Sequence, residues 1–255
     1  MSLPNQSFDI AVVMPMFNEE EGIVGWLQDL YGSFISIGIA NPVFCVIDDQ
    51  STDSSFSLVT NLQQTGFPVR VSKTAVNMGH GPATYRALEA GLATKARIVL
   101  SIDGDGQFEP NEVAEFSQLG KLYNFQVAEG CRINREEPGY RKILSLSTRL
   151  LVFCRCHKFP IDANTPLRLY DPNYLASILC VIPRNSLVPN LHISSISRSL
   201  DVEIHSRNVH FLQRRGSPTG TMFGPSKQKL LPSKRLVKFG LAAIREWFVN
   251  NGSKK

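Results

Sequence analysis

The sequence contains few cysteines and lacks a long apolar run. Its five cysteines among 255 residues are an odd number and show no repeating spacing, so they do not indicate a disulfide framework. Reduced thiols suit the cytoplasm, which is the compartment that we predict. No stretch of about 18 uncharged apolar residues occurs, and the first residues lack a basic start followed by an apolar segment. We therefore expect neither a membrane span nor export by a signal peptide.

Charge of one sign is also limited, because the formal net charge is only +5. The basic residues concentrate between Arg132 and Arg168 and from Arg207 onward. This distribution favours phosphate-bearing ligands or an anionic membrane surface. No helix-turn-helix, zinc-finger or aromatic RNA-binding motif accompanies the charge, so we do not expect a nucleic-acid partner.

Short β-rich segments alternate with helical segments through the first half of the chain. The predicted strands fall at 9–15, 42–49, 68–73 and 96–104. Alternation of this kind is typical of βαβ units. We therefore predict an α/β fold in which a mostly parallel sheet is flanked by helices, within a single domain. After Gln126 the alternation becomes less regular.

Polar side chains follow three of the predicted strands. They are residues 15–19, Asp48 with Asp49, and the segment from Asp103 to Gln107. In a parallel sheet the strands' carboxyl ends share one edge, where ligands bind. Asp103 and Asp105, separated by one glycine, can both face Mg²⁺ or Mn²⁺, and the cation would bridge the two carboxylates to a diphosphate. The alternative is an Asp-Gly turn that caps the following helix.

The ordered set of motifs resembles glycosyltransferase family 2 of the Rossmann-like GT-A fold. Within that family it is similar to polyprenyl-phosphate sugar synthases such as dolichyl-phosphate mannose synthase. The motifs that carry the resemblance are VMPMFNEE at 13–20, VIDDQSTD at 46–53, NMGHGPATYRALEAG at 77–91, DGDGQ at 103–107, EGCR at 129–132 and RRGSPTG at 214–220. The resemblance implies a glycosyltransferase that uses a GDP- or UDP-sugar donor and Mg²⁺ or Mn²⁺.

The resemblance also implies which residues bind the nucleotide-sugar. Asp48 and Asp49 are expected to bond the base and ribose, beside a wall formed by Pro15, Phe17 and Glu19. The remaining expected donor contacts are Asn77, Gly79, Asp103 and Gln107, and Asp103 and Asp105 are the expected metal ligands, with Asp105 also assigned to catalysis. From the residues alone, Asp49 or Ser51 equally suits the cap of a helix beginning near Thr52. His80 stands where a lysine is common in the family.

Five arginines are expected to contact phosphates of the donor or acceptor. Arg132 and Arg141 are assigned to catalysis by the resemblance, and Arg168, Arg214 and Arg215 to substrate binding. The guanidinium group matches phosphate oxygens in a two-pronged contact. As single residues, these arginines are equally consistent with a solvated surface.

The sequence lacks an acidic residue just before Pro189–His192, where family members that glycosylate a hydroxyl place their base. A phosphate monoester, with a second pKa of about 6, is already anionic at neutral pH and needs no strong base. The missing acid therefore favours an inverting transfer to polyprenyl phosphate. One alternative is a saccharide hydroxyl acceptor with His192 as the base, and another is a nucleotide-sugar-binding protein without catalysis.

We divide the chain into a glycosyltransferase domain at 1–230 and a C-terminal amphipathic helix at 231–255. The nucleotide-binding half covers about 1–125 and the acceptor half about 126–230, with a loop from Arg214 to Ser226. The last helix, predicted from about Ser233 to Val249, carries apolar residues along one face. It suits peripheral contact with the cytoplasmic membrane face or a membrane-protein partner, and equally a helix packed on its own domain.

Overall fold

A computed structural model describes residues 8–122, 124–134, 139–216 and 234–249, and at 139–143 and 234–236 it describes the backbone alone. The strands are β1 (Ile10–Met16), β2 (Pro42–Asp48), β3 (Val69–Lys73), β4 (Ile98–Ser101), β5 (Val127–Ile133), β6 (Arg168–Tyr170) and β7 (Ile204–His210). The α-helices are α1 (Ile23–Ser36), α2 (Ser55–Gln64), α3 (His80–Ala93), α4 (Pro110–Ser117), α5 (Gly139–Cys156), α6 (Pro172–Leu179), α7 (Pro189–Ser199) and α8 (Lys234–Val249).

The strands form one sheet in the order β3-β2-β1-β4-β6-β5-β7. β1 pairs in parallel with β2 and β4, β2 pairs in parallel with β3, and β5 pairs in parallel with β7. β6 is antiparallel to both of its neighbours, β4 and β5. The predicted α/β fold with a mostly parallel sheet is therefore confirmed.

Helices cover both faces of the sheet. Every residue of β1 and of β2 is buried, as expected for apolar strands in the middle of a layered fold. One core joins the sheet to α1 and α4 and contains the fully buried side chains of Trp26 and Phe116. A second core joins the opposite face to α3 and α6 through residues such as Leu88 and Leu175. The sheet therefore holds its strand ends rigidly at the edge where the polar motifs lie.

The C-terminal helix α8 packs on the domain near its end. Trp247 is buried in a small cluster with Val152 of α5 and Leu191 of α7. The alternative that this helix packs on its own domain therefore holds at Trp247, although other apolar residues of α8 remain exposed. Within the described ranges, no helix has the length and apolar character that crossing a membrane requires.

Candidate active site

The three polar motifs meet at one edge of the sheet. β1 lies between β2 and β4, and all three strands run in the same direction, so their carboxyl ends are adjacent. Hydrogen bonds then connect the loops: the N–H of Asn18 donates to Ser51 Oγ at 3.0 Å, and that of Glu19 donates to Ser55 Oγ at 2.7 Å. The loops that follow β1 and β2 at this edge are therefore connected by hydrogen bonds.

Asp103 and Asp105 lie directly after β4. The side chain of Asp103 is 27% exposed, and Asp105 is half-buried and accepts the N–H of Gln107 at 3.2 Å. Burial, followed by the charge of Asp103, raises the pKa of Asp105 to about 7, while Arg214 opposes the rise. Two neighbouring carboxylates repel each other when both are ionised, and a divalent cation between them removes this repulsion. Carboxylate oxygens are suitable ligands for Mg²⁺ or Mn²⁺. The residues present therefore fit such an ion.

The carboxylate pair does not form a complete ligand set. Among the described residues, no cluster contains three or more His, Cys, Asp or Glu side chains able to hold a metal. A cation at Asp103 and Asp105 would take its remaining ligands from a bound diphosphate or from water. This property suits an ion that arrives with its substrate.

Gln107 holds the segment after β7 against the loop at 103–107, which is called the metal-site loop after its expected role. Its side-chain amide donates to the carbonyl of Leu212 at 3.1 Å, and the N–H of Leu212 donates to the carbonyl of Gln107 at 2.8 Å. Beside them, the rings of Phe108 and Phe211 pack edge to face, with 5.4 Å between their centroids. Gln107 thus positions residues 211–215 at the site, and its own contact with a substrate stays a prediction.

Arg214 is the predicted phosphate-binding arginine that lies near the carboxylates. It forms an ion pair with Glu19, with Nε donating to Oε2 at 3.1 Å. Burial raises the pKa of Glu19 to about 8, although Arg214 opposes this, and Asp105 and Asp103 add to the rise. Glu19 therefore holds the positive charge of Arg214 close enough to Asp105 to lower the pKa of that carboxyl.

Arg215 is positioned differently. Its backbone N–H donates to the carbonyl of Asp105 at 3.1 Å, but its guanidinium pairs with Asp29 at 2.6 Å and lies over the ring of Trp26. A Cβ on Gly106, which has a φ of 69°, would come within 2.7 Å of this side chain. In this structure α1 holds the Arg215 side chain, and the contact between its guanidinium and a diphosphate stays a prediction.

Asp48 and Asp49 are both buried and both bonded within the protein. Asp48 accepts the N–H of Ser51 and lies 3.5 Å from Lys73 Nζ. The two carboxylate oxygens of Asp49 accept the N–H groups of Met78 at 2.8 Å and Gly79 at 2.7 Å. Their contacts with base and ribose stay a prediction. The structure adds that Asp49 fixes the start of α3.

The alternative that Asp49 or Ser51 caps a helix near Thr52 is wrong. Helix α2 begins at Ser55, and Asp53 accepts both the N–H of Ser55 at 2.9 Å and its hydroxyl at 2.6 Å. Asp53 therefore supplies the local hydrogen bonds at this helix start.

Asn77 and Gly79 form the turn into α3. The side-chain amide of Asn77 donates to the carbonyl of Asp49 at 2.8 Å, and Gly79 has a φ of 89°, which glycine adopts without strain. The next residue, His80, brings its Nε2 to 3.5 Å from Asp103. The departure from lysine thus still leaves a nitrogen donor beside the metal-site carboxylate.

Pro15 and Phe17 lie at the end of β1. Pro15 is buried, and a Cβ on Gly104 would come within 3.0 Å of its carbonyl oxygen, so the metal-site loop packs closely on this strand. Phe17 is half-buried, as a residue at the side of a cleft is expected to be. Their role as a nucleoside wall stays a prediction.

The arginines of the second half are engaged by the protein itself. Arg132 makes a two-pronged contact with Asp162 at 2.7 and 2.9 Å. Arg168 has no exposed surface and lies 3.3 Å from Glu129. The phosphate contacts of Arg168 and Arg132 stay predictions, for which Arg168 would have to become accessible and Arg132 would first have to leave Asp162. The side chain of Arg141 lies outside the described residues.

Sequence reasoning missed the buried charges that surround Arg168. Glu129 pairs with Arg168 and also with Arg198 of α7, whose Nη2 donates to it at 2.7 Å. A signal was present, because Glu129 and Arg168 each lie in a short, mostly apolar segment, and a charge that is buried without a partner is costly. Arg198, however, is 69 residues from Glu129, and the fold alone brings them together.

The sequence places no acidic residue just before Pro189–His192, but the fold brings one beside the first turn of α7. Glu246 of α8 lies 3.1 Å from His192 Nε2, and it accepts the hydroxyl of Ser186 at 2.5 Å and the N–H of Leu187 at 2.8 Å. No sequence signal pointed to Glu246, because it lies 54 residues beyond His192. The segment at 186–192, which is expected to face the acceptor, is thus bound to the C-terminal helix.

The comparisons with known proteins agree with this arrangement. The model of glycosyl transferase family 2 matches residues 11–169, and the chain belongs to that family. It is 26% identical over 204 residues to the undecaprenyl-phosphate 4-deoxy-4-formamido-L-arabinose transferase of Aeromonas hydrophila, and 22% identical over 198 residues to that of Pectobacterium carotovorum. These matches cover 79% and 77% of this chain but 61% and 59% of the relatives' own lengths.

Solved structures show the same fold. Mannosyl-3-phosphoglycerate synthase from Rubrobacter xylanophilus has a TM-score of 0.63 at 15% identity, covering 94% of this chain and 72% of that chain. Glucosyl-3-phosphoglycerate synthase from Mycobacterium tuberculosis, in complex with Mn²⁺, UDP-glucose and phosphoglyceric acid, has a TM-score of 0.62 at 20% identity, covering 97% and 81%. The chain therefore has the GT-A glycosyltransferase fold.

Proposed function

We propose that this enzyme transfers a sugar from a nucleotide-sugar to a polyprenyl phosphate, with inversion, using Mg²⁺ or Mn²⁺ at Asp103 and Asp105. The observation that carries the proposal is the carboxylate pair after β4, where burial and Asp103 raise the pKa of Asp105 to about 7. Relatives named as undecaprenyl-phosphate transferases support the acceptor class. Glycosyltransferases of the same fold solved with Mn²⁺ and UDP-glucose, or with Mn²⁺ and GDP-mannose, support the donor class and the cation.

In the proposed reaction, one group of residues would hold the donor, and the acceptor would then react with it. Asp103 and Asp105 would hold the cation, and Asp49 fixes the loop that precedes α3 beside them. The bound cation would stabilise the negative charge that grows on the diphosphate as the bond to the sugar breaks. Arg214, held by Glu19, supplies a positive charge at the same place. An oxygen of the acceptor phosphate would form a bond to the anomeric carbon of the sugar as the bond from that carbon to the diphosphate breaks, and the nucleoside diphosphate would leave with the electron pair.

The buried state of His192 supports a phosphate acceptor over a hydroxyl. Burial raises the pKa of Glu246, but hydrogen bonds from His192, Ser186 and Leu187 outweigh burial and hold this pKa below its ordinary value. An ionised carboxylate only accepts hydrogen bonds, so Glu246 accepts from His192 Nε2, and the other ring nitrogen, Nδ1, is the one that a hydroxyl acceptor would have to reach. The histidine side chain is 4% exposed and stacks on Trp247. A saccharide hydroxyl would therefore have poor access to this base.

A lipid acceptor also agrees with the outer face of α8. Leu241 is 64% exposed and Phe248 is 63% exposed, and Lys238 and Arg245 on the same helix are exposed as well. Apolar residues flanked by basic ones suit the surface of an anionic membrane. We infer peripheral contact of α8 with that surface, which would bring the enzyme to its substrate.

The acceptor is tested by following label from a nucleotide-sugar. The purified enzyme is incubated with Mn²⁺, labelled GDP- or UDP-sugars, and either short-chain polyprenyl phosphate or oligosaccharides. Label should enter the organic phase only when polyprenyl phosphate is present. Transfer to oligosaccharide that disappears in His192→Ala would contradict the proposal and identify the histidine as base, and donor binding without transfer to either acceptor would indicate a non-catalytic protein.

A further inference from the structure

Glu246 connects the C-terminal helix to the acceptor side of the domain. Its Oε1 accepts from the hydroxyl of Ser186 at 2.5 Å and lies 3.1 Å from His192 Nε2, while its Oε2 accepts the N–H of Leu187 at 2.8 Å. One carboxylate thus binds three groups along a stretch of seven residues. Beside it, Trp247 stacks on the ring of His192 at 5.1 Å. The second half of α8 therefore fixes both the loop before α7 and its first turn.

The segment that Glu246 fixes lies against the start of α3. A Cβ on Gly81 would come within 2.4 Å of the carbonyl oxygen of Ser186 and 2.5 Å of that of Leu187. Only the absence of a side chain at Gly81 permits this approach. The preceding residue, His80, is the one whose Nε2 lies 3.5 Å from Asp103. Glu246 is thus connected to the metal-site loop through two short steps, the 186–187 backbone and the first turn of α3.

We propose that Glu246 is a positioning residue for acceptor binding, because it holds residues 186–192 beside the metal-site loop. This inference rests on the proposed function. The polar groups at the donor side, from Asp49 to Gly79 and at Arg214, bond to each other and to their own loops. Loss of Glu246 therefore releases the acceptor side and leaves the donor contacts in place. Helix α8 is in this way a part of the substrate site as well as an attached helix.

The test separates the acceptor KM from the donor KM. Glu246→Gln keeps the volume but loses one accepting oxygen and the charge, and Glu246→Ala removes all three bonds. We expect Glu246→Ala to raise the acceptor KM by about tenfold or more, with Glu246→Gln intermediate, while the donor KM stays within about twofold. The matched control is Glu203→Gln, which changes an exposed glutamate next to β7 and should leave both constants unchanged.

Two results would overturn the inference. One is a wild-type acceptor KM in both Glu246 variants, and the other is a parallel loss of donor affinity, acceptor affinity and thermal stability, which indicates a purely structural role. If Glu246→Ala does not fold, Glu246→Gln decides, with nucleoside diphosphate and Mn²⁺ binding as the measure of an intact donor side. If oligosaccharide proves to be the acceptor, the proposed function fails, and the Glu246 effect is measured on the oligosaccharide KM.

Discussion

Asp103, Asp105 and Glu19 concentrate negative charge at the end of the sheet, and the charge of Asp103 opposes the ionisation of Asp105 and Glu19. Burial is the largest cause of the raised pKa values of Asp105 and Glu19, and the neighbouring carboxylates add to it. Arg214 offsets part of this cost at Glu19. A cation that arrives with the donor would relieve the rest, which couples metal binding to donor binding at these residues.

Asp49 is expected to be needed for both donor binding and local stability. In Asp49→Asn one accepting oxygen becomes an amide group that faces the N–H of Met78 or Gly79. We expect a raised donor KM, a nearly unchanged kcat, and a loss of about 1–3 kcal/mol in the free energy of unfolding. Steady-state kinetics and urea unfolding measure these effects.

Asp201→Asn is the control for that variant, because Asp201 is exposed and pairs with Lys158 away from the donor loops. It should change neither the kinetics nor the stability appreciably. A collapsed kcat in Asp49→Asn at an unchanged donor KM would instead place Asp49 in the chemistry of the transfer.

Single residues differ in how far their roles follow from the sequence. Asp103 and Asp105 could be placed at the site because their spacing and strand-end position imply it. The engagement of Arg132 could not be predicted, because its partner Asp162 lies thirty residues away and no local pattern joins them. The same holds for Glu246, whose partners lie in another element. Side-chain pairing across the fold depends on tertiary packing, which the local pattern does not contain.

At the scale of elements, two glycines in first turns of helices allow a matched comparison. A Cβ at Gly81 of α3 would press on the carbonyl oxygens of Ser186 and Leu187, whereas a Cβ at Gly25 of α1 meets nothing within 4 Å. We expect Gly81→Ala to lower the free energy of unfolding by about 1–3 kcal/mol and Gly25→Ala to raise it by about 0.5–1 kcal/mol. Urea unfolding of both variants checks this. Equal effects would contradict the close packing of α3 against the backbone of residues 186 and 187.

Most helices and strands follow from the sequence, with differences at their ends. The last helix was predicted from about Ser233 and begins at Lys234, and the strand predicted at 42–49 ends at Asp48. Alternation of apolar and turn residues sets these elements. The position of β6 could not be predicted, because an antiparallel strand between β4 and β5 depends on which edges remain open after the chain folds. The strand order in the second half of the sheet is therefore known only from the structure.

At the scale of the whole molecule, the outer face of α8 predicts how the enzyme would reach the proposed lipid acceptor. We expect the protein to sediment with anionic vesicles and much less with neutral ones, because Lys238 and Arg245 accompany the exposed apolar residues. Leu241→Ser with Phe248→Ser should abolish this, since both side chains are mostly exposed and would enter the interface.

Leu122→Ser is the control for vesicle binding. Leu122 is also an exposed leucine, but it follows α4 on the other side of the sheet. It should leave sedimentation unchanged. Equal loss in both variants, or binding to neutral vesicles alone, would contradict an electrostatically assisted contact through α8.

Metal-dependent transfer by the wild type and by Asp105→Ala tests the central claim most directly. Both proteins are treated with chelator, and the rate of sugar transfer to polyprenyl phosphate is followed as Mn²⁺ is restored, with circular dichroism to verify folding. The account predicts that the wild type loses transfer without metal and regains it, whereas folded Asp105→Ala stays below about a tenth of the wild-type rate at every metal concentration. Transfer by the wild type that survives chelation, or a higher rate in Asp105→Ala, would contradict it.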